Sequence, residues 1–164
     1  MRRLSPDEIQ AVVWIVRGAA PSVCPEQTDQ VELVERSLSA HGGRMAKPGA
    51  SRLAEASFID AELGLKIGIE FLTAFVILFL TELRKAAAKD GAETLYEWIK
   101  GKVSAIGDPQ AAAEQIAAET PIRHDAVGCS ADEAKRVARV ITHIIVPDPV
   151  PLDRVRVKRG SSDR

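Results

Sequence analysis

The chain has 164 residues, 46% hydrophobic and 27% charged, with a formal net charge of −1. That is long enough to bury one core and too apolar for a disordered segment. Near-neutral charge excludes a global electrostatic pull toward nucleic acid or anionic lipid, and aromatics at only 4% with abundant alanine favour close-packed helices over a β-sandwich.

Ser5-Pro6-Asp7-Glu8 is a capping box with proline at the first helical position. Ile9, Val12, Val13 and Val16 then line one face, and Gly18 can close the helix. A second helix is expected from Pro25 or Glu26, with Val31, Val34 and Leu38 as its apolar stripe and His41-Gly42-Gly43 as its end. Residues 42–51, GGRMAKPGAS, read as a flexible linker, with Arg44 and Lys47 offered to solvent or protease for processing. A long helical segment is expected from Ser51 or Ser57 to Lys89, stopped at Asp90-Gly91. Ala92 to Ile106 follows as its antiparallel partner in an αα-hairpin, closed by Gly107. Asp108-Pro109 caps a short alanine-rich helix ending at Thr120-Pro121. Ser130-Ala131-Asp132-Glu133 is a second capping box, and its helix turns Ala134, Val137, Ala138, Ile141 and Ile145 inward. Pro147, Pro149 and Pro151 forbid continuation. The end of the chain reads as an extended basic tail with an edge strand at Val155–Lys158.

Residues 63–83 hold three of the four phenylalanines and the longest uncharged run, the 11 residues Phe71–Thr81. On a helical wheel Phe71, Phe75 and Phe79 stack opposite a polar stripe of Glu62, Lys66, Glu70, Thr73, Thr81 and Arg84. Gly64-x-x-x-Gly68 lies one or two turns earlier on the phenylalanine face, a spacing that admits close helix crossings. Each glycine inside a helix costs roughly 1 kcal/mol relative to alanine, so two of them want a packing reason. The uncharged run is short of the roughly 18–20 residues a membrane span needs. Arg84, Lys85 and Lys89 at the turn, with Tyr96 and Trp98 beyond it, would suit a bilayer interface as well as a bundle edge. By organisation this resembles the buried-hairpin plan of pore-forming helical domains.

No reaction motif is present. Cys24 and Cys129 make no disulfide framework, so a reducing, cytoplasmic setting is expected. Arg2 and Arg3 lead into Pro6, Asp7 and Glu8 rather than an apolar stretch, which does not read as a signal peptide. His124, Asp125, Cys129 and His143 lack metal-ligand spacing, although Cys129 before a capped helix could pair with His124. No glycine-rich loop has a phosphate-binding pattern. A basic helix at 135–139 and the Arg154–Arg159 tail could touch nucleic acid, but Asp132 and Glu133 stand at the end that would enter a groove and no aromatic is interleaved.

The expectation is therefore a mostly α, single-domain bundle of about six helices around a central apolar αα-hairpin, with a short extended segment near the C-terminus. Residues 1–41 form a helical pair, 42–51 a linker, 52–146 the helical core with hairpin 58–106, and 147–164 a proline-rich exit and basic tail. The leading functional expectation is a non-enzymatic interaction protein that self-associates or docks a partner protein through Gly64, Gly68, Phe71, Phe75 and Phe79. The alternatives are a membrane-disrupting effector, cytoplasmic until activated and kept soluble by its own shell, and a small DNA-binding regulator, with nucleic acid the least favoured partner. No cofactor or metal is expected.

Overall fold

A computed structural model of the chain describes residues 3–40, 68–120, 122–123 and 128–157. Among them are six α-helices and no strand: α1 (Pro6–Val23), α2 (Val31–Ala40), α3 (Ile69–Lys89), α4 (Leu95–Ile106), α5 (Pro109–Glu119) and α6 (Ala131–Ile145). Short 3-10 helices cover Pro25–Gln30 and Val150–Leu152. The protein is an all-α bundle.

Local chemistry starts most of these helices. Ser5 Oγ accepts the Glu8 N–H at 3.2 Å, and Ser130 Oγ accepts that of Glu133 at 3.1 Å. Asp108 Oδ1 accepts the Gln110 N–H at 3.2 Å. Thr94 Oγ1 accepts the Glu97 N–H at 3.1 Å, which moves the start of α4 from the expected Ala92 to Leu95. Gly107, at φ 84°, ends α4 in the left-handed conformation that glycine adopts most readily.

Two boundaries differ from the sequence reading. α1 does not close at Gly18 but continues to Val23, with Pro21 accommodated in its last turns. Gly18 serves an interhelix contact instead: a Cβ there would lie 3.2 Å from Ile144 Cγ2 of α6. α3 begins only at Ile69, because Gly68 is extended (φ −76°, ψ 160°). The Ile69 N–H is taken by Gln27 Oε1 at 2.6 Å, a cap supplied from 42 residues upstream. The helix start expected at Ser51 or Ser57, the linker 42–51 and the His41-Gly42-Gly43 stop lie outside the described residues.

Among the described residues α1 is the hub of the bundle, and the hairpin packs against it through α3. α1 packs on α2, α3, α6 and both 3-10 helices. Ala11, Val12, Ile15, Val16, Ala19 and Ala20 are all fully buried, on more than one side of the helix, and the alanines let its neighbours come close. α3 and α4 do form the hairpin, α4 packs on α5, and α5 packs on α6.

The C-terminal exit also joins the core rather than trailing away. Leu152, Val155 and Val157 are buried. Leu95 N–H donates to the Val155 carbonyl at 3.1 Å, and Val157 N–H donates to that of Glu93 at 2.9 Å. The edge strand expected there is a single antiparallel bridge, Thr94 to Arg156. Residues 158–164 lie outside the described residues.

Candidate functional site

The face of α3 expected to meet a partner is turned into the protein's own core. Phe71 is 7% exposed and Phe75 and Phe79 are 0% exposed. Their rings follow one another at centroid separations of 6.1 and 6.4 Å, on a helix that packs against α1, α2 and α4. This corrects the reading of Phe71, Phe75 and Phe79 as a free contact surface: the apolar arc is covered by the chain itself. Gly68 is a helix cap rather than a residue inside a helix crossing. Gly64 lies outside the described residues, as do Arg44 and Lys47. The exposed side of α3 is reduced to a narrow strip through Glu70, Thr81, Lys85 and Lys89.

The residues grouped as a bilayer interface do not share one surface. Arg84 is 8% exposed, and its Nη1 lies 3.0 Å from Glu8 Oε2 in the first turn of α1. The polar stripe on α3 is thus partly internal, which also explains the fully buried Thr73, whose hydroxyl donates back to the Ile69 carbonyl at 2.7 Å. Trp98 is 5% exposed and its Nε1 donates to Asp90 Oδ2 at 2.8 Å. Lys102 Nζ lies 5.4 Å from the Trp98 ring centroid and donates to Glu119 Oε2 at 2.9 Å. Hydrogen bonds from Gln115, and then from Lys102, hold the Glu119 carboxyl below its ordinary range. These contacts lock the end of α3 to α4 and α5. Tyr96 is half-buried beside Lys100, while Lys85 and Lys89 are exposed, Lys85 lying 3.5 Å from Glu82. No helix among the described residues is long and apolar enough to cross a membrane.

Both cysteine thiols are shifted upward. Burial raises the Cys24 thiol from 9.0 to about 11. Cys129 rises to the same level, first through burial and then through the Glu133 carboxylate, so desolvation overrides any lowering by the helix N-terminus. His124 and Asp125 lie outside the described residues, and no group of three or more metal-binding side chains occurs among those described.

What the fold does gather on its surface is a cationic ridge along α6. Lys135, Arg136, Arg139 and His143 are exposed on one side of that helix. Ser130 starts the helix, and burial of Val137, Ile141 and Ile145 fixes which side faces out. Between α6 and α1 lies a groove of about 680 Å³, with Gly18, Val140 and Ile144 along it and all four ridge residues bordering it. Between α6 and α5 lies another of about 530 Å³, lined by Ala117, Ala134 and Ala138 and bordered again by Lys135 and Arg139. Glu114 Oε2 is 3.6 Å from both Arg139 Nε and His143 Nε2, and Asp132 stands at the N-terminal end of the ridge. Cations three to four residues apart on a helix are visible in sequence; the grooves beside them depend on where α1 and α5 pack and are not.

In comparisons with protein-family models, curated proteins and solved structures, nothing matches this chain.

Proposed function

We propose that the protein is a non-enzymatic helical interaction module that docks a protein partner on the cationic ridge of α6. The observation that carries this reading is the placement of Lys135, Arg136, Arg139 and His143 along one exposed helix face with a partly apolar groove on either side. Apolar floor beside charged rim is the composition of protein-binding surfaces. Glu114 and Asp132 beside the ridge suit a mixed-charge protein surface better than a polyphosphate backbone, which would repel each carboxylate.

Fluorescence anisotropy with a fluorescein-labelled polyglutamate peptide tests the surface. Lys135→Gln/Arg136→Gln should weaken binding about tenfold, corresponding to two exposed charge contacts of ~0.7 kcal/mol each. Lys85→Gln/Lys89→Gln, which removes two exposed cations from α3, should leave binding unchanged. Equal loss in both variants, or no loss in either, overturns the reading.

A further inference from the structure

A surface opposite in charge to the α6 ridge occurs on the same chain. Residues 25–40 carry four acids, Glu26, Asp29, Glu32 and Glu35, against one cation, Arg36. Asp29, Glu32 and Glu35 follow one another at three-residue spacing from the 3-10 helix into α2, so they lie along one side. Asp29 and Glu32 are exposed. Neither belongs to an ion pair among the described residues.

An apolar side chain stands beside that acidic stripe. Leu33 is 59% exposed, one of two large hydrophobic residues left in solvent among those described. It lies one helical turn beyond Asp29 and one turn before Arg36, on the side of the helix next to the stripe. The α1–α6 groove presents the converse arrangement. It is lined by Gly18, Val140 and Ile144 together with Lys135, Arg136 and Arg139 and the single carboxylate of Asp132. The two surfaces also match in length. Lys135 to His143 rises ~12 Å along α6, and Asp29 to Glu35 rises ~9–12 Å.

Resting on the docking role of the ridge, we infer that its partner is a second copy of this chain: Leu33 of one copy enters the α1–α6 groove of the next, with Asp29 and Glu32 opposite Lys135, Arg136 and Arg139. The contacting patches are different, so the contact is heterologous. Each bound copy still offers a free ridge or a free stripe, and association continues until a ring closes or an open chain forms. Charge complementarity of this exposed kind weakens as salt is added.

Solution mass measured over a concentration series, at low and at high salt, tests the inference. The wild-type mass should rise with concentration at low salt and fall toward one chain at high salt. Leu33→Ser, Asp29→Asn/Glu32→Gln and Lys135→Gln/Arg136→Gln should each shift the association midpoint at least about tenfold toward higher concentration. All three alter exposed positions, and unchanged circular dichroism and melting verify that each variant is folded. Mixing the acid-neutralised with the cation-neutralised variant is the decisive arm. Only one intact stripe and one intact ridge remain per pair, so the mixture should stop at two chains.

The inference is overturned by a wild type that stays at one chain throughout, by variants that associate as the wild type does, or by a mixture that stays monomeric or grows past two chains. A monomeric wild type that still binds polyglutamate through Lys135 and Arg136 removes the second copy as occupant while the docking role stands. Loss of polyglutamate selectivity removes the docking role itself.

Discussion

A phenylalanine ring has no polar atom to keep wet, so three of them in line on one helix require a cover. Here the cover is the chain itself: Phe75 and Phe79 are 0% exposed, on a helix that packs against α1, α2 and α4. The helical period of those rings is plain in sequence, but periodicity gives only the side of a helix that is apolar and not what lies against it. Arg84 shows the same limit. Its place beside Lys85 suggests a cationic turn, whereas it reaches Glu8 across 76 residues of sequence. Glu8 in turn already has a complete local explanation as a first-turn acid of a capped helix, and nothing nearby announces a distant partner. Burial gives Phe75→Asp a definite expected outcome. A carboxylate would replace an aromatic side chain with no cation placed to receive it, so the substitution should cost at least about 4 kcal/mol, enough to unfold a marginally stable domain. Far-ultraviolet circular dichroism should show a largely unfolded chain, while Lys85→Asp on the exposed strip of the same helix stays folded. A well-folded Phe75→Asp protein with an unchanged melting curve would put the ring outside the core.

Among the elements, helix starts governed by short-range chemistry are the readable ones. Ser5, Asp108 and Ser130 each cap N–H groups two or three residues ahead, and those helices begin within a residue of their sequence signals. α3 has no such signal. Its apolar period runs on upstream through Gly64 and Ile67, and only the extended backbone of Gly68 and the amide of Gln27 stop the helix at Ile69. A cap contributed by another element is invisible to any local pattern. Gln27→Ala should therefore destabilise the protein by about 1 kcal/mol, the usual loss when a helix N-terminus gives up a side-chain acceptor. Gln30→Ala, three residues on at an exposed site of the same 3-10 helix, should fall within about 0.5 kcal/mol of wild type. Urea denaturation reads both; equal effects would mean that the Gln27 contact with α3 contributes nothing of its own.

At the scale of the whole molecule, the all-α class follows from composition and capping, but the hub does not. α1 reads as an amphipathic helix with one apolar face of Ile9, Val12, Val13 and Val16. Its alanines look neutral in sequence, yet Ala11, Ala19 and Ala20 become contact points because α2, α3, α6 and both 3-10 helices close around it. The C-terminal exit is the other part of the architecture that pattern misjudges. Three prolines and a run of arginines resemble a solvated tail, since proline ends helices and charge favours water. Yet the proline at the start of a 3-10 turn also presets the backbone that lays Leu152 onto the bundle, where it is fully buried. Val155 and Val157 then alternate inward with Arg156 outward, a two-residue period too short to stand out among the charges. If this exit is core, Leu152→Ala should cost about 3 kcal/mol, the loss expected when a fully buried leucine leaves a cavity. Val150→Ala, two residues earlier and 62% exposed, should change stability by no more than about 0.5 kcal/mol. Urea midpoints measured on the two variants decide the matter. A Leu152→Ala protein as stable as Val150→Ala would return the exit to solvent and leave α1 and α4 to close the bundle without it.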